Sequence, residues 1–363
     1  MEKYRLPMVP GPVSVPQQIL DAAAVNYGSA DLEKEYIDLY KATEKALQRI
    51  MRTRNSVVIQ TGEGMLALWG ALKSCLQPGD KVLALSTGLF GYGIGEMAES
   101  LGCEVRTVGF SFDESITDFE TVERAIREFC PKMITMVQSE TPSGTLNPVG
   151  RIGDLKEKYN VPLLYVDAVS GLGGSVVETD KWHIDLCLGA SQKCLSAPAN
   201  MAFLSVSERA WEIIEETGYV GYDALMPFRE AVRNRYFPYT PYWHGTAQLY
   251  AACRLILDEG LTRVINRHEK VAAYCRKRAL QMGLTLFPAA DAILSPTVTA
   301  LYVPKGVSWK KLDAALREEG LVVGGNYGCL AGKVFRIGHM GAQADMKLVK
   351  EAMDILEKTV LDF

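Results

Sequence analysis

Histidine is scarce in this chain. The four, at 183, 244, 268 and 339, stand at no metal-ligand spacing, so no metal centre is expected. The eight cysteines (75, 103, 130, 187, 194, 253, 275 and 329) contain no Cys-x-x-Cys pair, which argues against a zinc framework or a dithiol motif. They read as reduced, mostly buried thiols of a cytoplasmic protein. Positive charge is short as well: 39 Lys and Arg against 43 Asp and Glu leave a net charge of −4. No basic face is expected for nucleic acid or an anionic membrane. No apolar run approaches the roughly eighteen residues of a membrane span. The opening Met1-Glu2-Lys3-Tyr4-Arg5-Leu6-Pro7 carries no signal core. Internal repeats, low-complexity segments and flexible linkers are absent too.

What the chain does have is 363 residues, 48% of them hydrophobic and 23% charged, enough for a large core and a division into a larger and a smaller domain. Residues 1–16 form an arm broken by proline and glycine, Val9-Pro10-Gly11-Pro12 at its centre. Helices are predicted near 17–25 and 32–52. Apolar strands then alternate with helical stretches: strands at 57–59, 81–85, 105–108, 133–137, 163–167, 184–188 and 201–206, with helices between most of them. That alternation predicts a mostly parallel sheet covered on both faces. The reading loosens from 207 to 245. A long helical stretch follows to Met282, broken near Gly260, and 297–359 reads as a small α+β unit.

In an open parallel sheet, ligands gather beyond the carboxyl ends of the strands. After strand 57–59 comes Gln60-Thr61-Gly62-Glu63-Gly64-Met65, a glycine turn opening a helix, where free N–H groups and the helix dipole suit an anion. It is neither a dinucleotide fingerprint nor a Walker loop. Phe90 follows the next strand, Ser139-Glu140-Thr141-Pro142-Ser143-Gly144 the one at 133–137, and Asp167 ends its own. Beyond 184–188 comes Lys193, flanked by Gly189, Ala190, Ser191, Ser196 and Ala197. Taken singly, each has a plain structural reading: a packing aromatic, a turn, a loop lysine. Together, an acid and a lysine at neighbouring strand ends are what pyridoxal chemistry needs, one for the ring nitrogen and one for the aldehyde.

The constellation resembles the class V aminotransferases, particularly the alanine–glyoxylate and serine–pyruvate branch. The resemblance spans nearly the whole chain and rests on Pro10-Gly11-Pro12, Thr61 to Gly64, Glu140 to Gly144, Val166 to Ser170 with Gly173-Gly174, Ser191-Gln192-Lys193, Thr240-Pro241 and Gly332 to Gly338. It implies a fold type I α/β architecture: a mostly parallel seven-stranded sheet sandwiched by helices, plus a small C-terminal α+β domain. The implied divisions are an arm at 1–16, a large domain at 17–255 and a small domain at 256–363. It implies pyridoxal phosphate as cofactor, held by Lys193 as a Schiff base, with Asp167 on the pyridine nitrogen, Phe90 stacked on the ring, and Thr141 and Val169 beside it. Gly62, Glu63, Gly64, Met65 and Gln192 would form the phosphate cup. Phe237 and Thr240 would reach it from a second subunit of a homodimer. Arg336, with Asn326 nearby, would clamp the substrate carboxylate, and Pro10-Gly11 would close over it. Without the family, Arg336 is an ordinary strand arginine.

Two positions depart from the family pattern. Glu63 stands in the phosphate turn where a small residue is usual, and a carboxylate repels a phosphate dianion. Phe237 stands where relatives carry a tyrosine hydroxyl. Both favour a ligand with less negative charge, a feature shared with pyridoxamine–pyruvate transaminases, which take unphosphorylated pyridoxamine as a substrate. Gln192, and Asn326 where that branch has a second arginine, point back to the ordinary transaminases. A cysteine desulfurase is disfavoured because Gln192 replaces the histidine before the lysine, and Cys329 lacks that family's flanking residues. A non-catalytic binding module is disfavoured because lysine, aspartate and arginine are all present.

Overall fold

The computed structural model describes residues 4–363; the first three residues of the expected arm lie outside them. In chain order the elements are β1 Leu6–Met8, α1 Gln17–Asp21, α2 Lys34–Met51, β2 Ser56–Thr61, α3 Gly64–Cys75, β3 Lys81–Ser86, α4 Leu89–Ser100, β4 Glu104–Gly109, α5 Phe119–Phe129, β5 Met133–Val137, and the short hairpin β6 Ser139–Glu140 and β7 Thr145–Leu146. Then come α6 Val149–Lys158, β8 Leu163–Asp167, β9 Leu186–Ala190, β10 Met201–Val206, α7 Glu208–Thr217, α8 Ala231–Asn234, α9 Trp243–Glu259 and α10 Leu261–Gln281. β11 Val298–Tyr302, α11 Trp309–Glu318, β12 Leu321–Val323, β13 Val334–Gly338 and α12 Met346–Leu361 complete the chain. Among the described residues, no helix is long and apolar enough to cross a membrane.

Seven strands form the main sheet in the order β2-β10-β9-β8-β5-β3-β4. All neighbours are parallel except β10, which runs antiparallel to both β2 and β9. The central strands β5, β8 and β9 are buried along their whole length, as strands covered on both faces must be. Alternate residues serve the two layers. Ile134, Met136, Leu164, Val166 and Cys187 face α2, α5, α6 and α9, while Met133, Val137, Tyr165, Leu186 and Leu188 face α3, α4 and α7. Six of the seven strands therefore end at one edge.

The smaller sheet is assembled from distant parts. β1 of the arm pairs in parallel with β12, Leu6 opposite Leu321, and β11 lies antiparallel to β13. A bridge between Gly324 and Arg336 joins the two pairs. Leu6, Met8, Leu301, Phe335 and Ile337 pack there against Leu312, Leu316, Met353 and Leu356.

Three local expectations differ from what is observed. The strand expected at 184–188 runs from 186 to 190, its ladder opening at Leu186 opposite Tyr165 and Val206, while just ahead of it the Asp185 carboxylate takes the Leu164 N–H (2.8 Å) and the Ser207 hydroxyl (2.8 Å). α1 stops at Asp21 rather than near 25. The loosely read segment after 207 opens with α7, whose N-cap Ser207 accepts the Ala210 N–H while Trp211, Ile213 and Ile214 are buried.

Candidate active site

Asp167 is the last residue of β8 and is buried, its Oδ1 accepting the Val169 N–H at 2.9 Å. Burial raises its carboxyl to about 6, against the Val169 bond and the Lys193 charge, with Glu63 adding to the rise. Lys193 sits in the turn after β9 and donates from Nζ to the Pro10 carbonyl at 2.7 Å. Burial, then the Arg336 guanidinium, lowers its ammonium to about 8, although Asp167 and Glu63 oppose the fall. Pro10 belongs to the arm, so the arm roofs the lysine. Gly11 follows at φ +104, and a Cβ there would lie 2.6 Å from Lys193 Nζ; only glycine fits.

A cavity of about 160 Å³ opens between these groups, lined by Glu63, Gly64, Met65, Phe90, Thr141, Asp167, Val169, Gln192 and Lys193 together with Leu68, Val137, Ser139, Ser170 and Leu188. Gly62 supports its rim at φ +148, its N–H held by the Asn200 carbonyl at 2.8 Å. Phe90, in the first turn of α4, is 39% exposed and presents a free ring. The Thr141 and Ser170 hydroxyls bond to each other. Glu63 is the N-cap of α3: its Oε1 accepts the Met65 N–H at 3.1 Å, so a carboxylate already meets one of the donors expected to hold an anion.

Arg336 lies on β13, 3% exposed. Its Nε and Nη2 donate to the Gly325 carbonyl, and the guanidinium carbon stands 4.9 Å from the Tyr327 ring centre. Asn326 uses its amide locally, Nδ2 on the Pro142 carbonyl (2.7 Å) and Oδ1 on the Tyr327 N–H (3.0 Å). Phe237 and Thr240 do not line this cavity. They line a separate cleft with Tyr36, Tyr222 and Tyr239, where the Phe237 ring packs 4.8 Å from Tyr40 and 5.4 Å from Tyr36.

Sequence reasoning gave no role to Ser139, Ser170 or Glu140. Ser139 and Ser170 line the cavity, and Glu140 lies fully buried beside it. Ser139 and Glu140 stand in the polar turn at 139–144 and Ser170 in the stretch Val166 to Ser170, and neither stretch says which of its side chains points inward.

The donor set suits a substituted pyridine aldehyde. A buried carboxyl stands across from an amine of lowered pKa, an aromatic face forms one wall, and the buried Gln192 Oε1 has no partner among the described residues. The comparisons agree. The family model for class V aminotransferases matches residues 14–340. An uncharacterized aminotransferase of Methanocaldococcus jannaschii is 36% identical over 342 residues, covering 93% of this chain and 88% of the relative. The solved pyridoxamine–pyruvate aminotransferase of Mesorhizobium loti superposes with a TM-score of 0.95 at 30% identity, covering 99% of this chain and 93% of that one. The solved alanine–glyoxylate aminotransferase of Nostoc sp. gives 0.93 at 29%, covering 99% and 96%.

Proposed function

The chain belongs to the class V aminotransferases, a fold type I family whose cofactor is pyridoxal phosphate, and from there we propose that it moves an amino group from alanine or serine to glyoxylate or pyruvate. One observation carries this reading: a lysine amine, a buried carboxyl and an open aromatic face share a single cavity, as Lys193, Asp167 and Phe90. Bound there, pyridoxal phosphate supplies an aldehyde that takes up amines and a ring that accepts electrons. Lys193 would hold it covalently, Asp167 would keep the ring nitrogen protonated, and Phe90 would cover the ring. Gly64, Met65 and Gln192 would receive the phosphate.

Lys193 Nζ would also carry the proton away from the α-carbon of the donor and return it during transfer. An amine near 8 keeps a share of itself unprotonated at neutral pH, which a base requires. Arg336 would clamp the substrate carboxylate, its fork braced by Gly325. Asn326 beside it is neutral and has its amide on the Pro142 carbonyl, so it adds no second cation, which favours acids with a single carboxylate. We place the enzyme in a homodimer, Thr240 reaching the cup of the partner. Its position in a second cleft beside the exposed Tyr222 and Tyr239 supports this. Eight free cysteines support a reducing, cytoplasmic setting.

A second reading is favoured by Glu63. Its carboxylate on the Met65 N–H would repel a phosphate yet accept a hydrogen bond from a hydroxymethyl group, which suits pyridoxamine as amino donor with pyruvate as acceptor. One screen tests both. Alanine, serine and pyridoxamine are offered with pyruvate or glyoxylate, with and without pyridoxal phosphate, and the amino acid formed is quantified. Transfer from alanine or serine that needs the added cofactor is the expected result. Transfer from pyridoxamine alone selects the second reading, and no transfer from any donor overturns both.

A further inference from the structure

Glu140 has no part in the reaction proposed above, yet it is fully buried beside the cavity. It ends β6, and its Oε1 accepts the Gly91 N–H at 2.9 Å. Gly91 lies in the first turn of α4, next to Phe90. That helix begins after Gly88, which has no side chain to cap it. A capping side chain at 88 is also sterically excluded, because a Cβ there would lie 2.7 Å from Glu140 Oε2. The acceptor that α4 lacks in its own sequence thus comes from another element and fills the space a local cap would need.

Among the described residues Glu140 Oε2 has no partner in good hydrogen-bond geometry, and burial raises the carboxyl to about 7, against the Gly91 and Phe90 N–H groups and with the Asp167 charge adding to the rise. Below that pH it sits beside Asp167 without a second negative charge. Both turns also meet the segment 326–328: a Cβ at Gly328 would lie 3.0 Å from Leu89 Cδ2, and the carbonyl of Pro142, two residues beyond Glu140, accepts the Asn326 amide at 2.7 Å.

We propose that Glu140 is a positioning residue that caps α4 from β6 and thereby fixes the Phe90 ring over the cofactor. The inference rests on the cavity being the pyridoxal phosphate site. Its test is a titration of pyridoxal phosphate into cofactor-free protein, followed by visible circular dichroism, for wild type, Glu140→Ala, Glu140→Gln, Phe90→Leu and the Glu140→Ala/Phe90→Leu double variant. Losing a helix cap should weaken binding roughly 2- to 30-fold in Glu140→Ala and shrink the induced dichroism. Glu140→Gln, which keeps an acceptor oxygen, should stay within about 2-fold of wild type. The double variant should bind no more weakly than Phe90→Leu alone, since both changes act on one ring. Amide exchange at Gly91 should quicken in Glu140→Ala but not in Glu140→Gln.

Wild-type affinity in Glu140→Ala, or losses that add in the double variant, overturns the proposal. Should Glu140→Ala not fold, Glu140→Gln decides: binding and Gly91 protection both kept support the cap, and weakened binding with Gly91 still protected overturns it. Exchange at Gly91 is read without cofactor, so it judges the cap even if wild type binds no pyridoxal phosphate. That last outcome would sink the proposed reaction instead.

Discussion

Two lysine–aspartate pairs lie at opposite ends of the same two strands, and they behave differently. At the starting ends of β8 and β9, Lys156 Nζ stands 3.2 Å from Asp185, whose carboxylate also receives the Leu164 N–H and the Ser207 hydroxyl. Burial works against the Lys156 ammonium, but the carboxylates of Asp185 and Glu157 more than offset it and hold its pKa above the usual lysine value. At the finishing ends, Asp167 accepts the Val169 N–H, and Lys193 donates to the Pro10 carbonyl, with the Arg336 guanidinium opposing its charge and Asp167 and Glu63 favouring it without a salt bridge to either among the described residues. Both pairs flank the same two strands, with Lys156, Asp185 and Asp167 buried and Lys193 half-buried beneath the arm. In the first, burial still raises the Asp185 carboxyl, but the Lys156 charge, the Leu164 N–H and the Ser207 hydroxyl oppose the rise; the second has no salt bridge among the described residues, and a poorly compensated buried charge is available for chemistry.

The contrast is broken most forcefully by removing one lysine at a time. Lys193→Ala should abolish transamination, a loss of roughly 10²–10⁴-fold from the proton transfer alone, with the melting temperature little changed. Turnover surviving in that variant would remove Lys193 from the centre of the reaction. Lys156→Met should do the reverse. Stranding Asp185 is expected to cost about 3–5 kcal/mol of unfolding free energy in urea, with kcat of the folded protein unaltered. A stability within 1 kcal/mol of wild type, on the order of an exposed pair, would show that the pair is less buried in solution.

Smaller changes sharpen the difference inside the cup. Arg336→Ala should raise KM for the keto acid by the roughly 1.5–3 kcal/mol of a charge-assisted pair, about 10- to 150-fold, and an unchanged KM would remove it from the carboxylate site. Glu63→Ser keeps a capping oxygen for the Met65 N–H while deleting the charge. It should therefore tighten pyridoxal phosphate several-fold, by about 1 kcal/mol. Weaker binding would mean that Glu63 holds the ligand rather than opposing it.

How far these pairs could be read from the chain differs too. Asp167 and Lys193 were legible because each follows a continuous apolar strand, and parallel topology sends all such ends to one edge. The Asp185 role was not, since its three partners come from α6, β8 and the start of α7. The arm strand β1 escaped for the same physical reason. Its only ladder partner is β12, more than 300 residues away, and Pro7 and Pro10 argue locally against a strand. Glu140 was quoted in a polar turn, but nothing in one dimension says that this turn folds back beneath α4. Phe237 reads as a lost phosphate donor, and its neighbours in sequence do not say that its ring packs on Tyr36 and Tyr40.

The smallest expected effect is also the one that divides the pairs by sign. Take cofactor-free protein and the same substitution, Lys→Met, at both positions. Lys156 has a folded pKa raised above its unfolded value, so its stabilisation is fully present below the ordinary lysine pKa and is lost only as pH rises through the folded value. Lys193 falls from 10.5 to about 8, so its amine costs stability below pH 8, and that cost disappears between 8 and 10.5 as the unfolded chain also loses its proton. At pH 7, Lys156→Met should therefore lower the melting temperature and Lys193→Met should raise it, the latter by on the order of a few °C. Asp167 trims that gain, because its carboxyl loses the lysine that helped to hold it down to about 6. Scanning calorimetry from pH 6 to 10 should show the Lys193→Met gain shrinking above pH 8. A gain that ignores pH, or a loss at pH 7, would mean that the Pro10 carbonyl satisfies Lys193 as fully as Asp185 satisfies Lys156, and the two ends of the sheet would then differ only in what they bind.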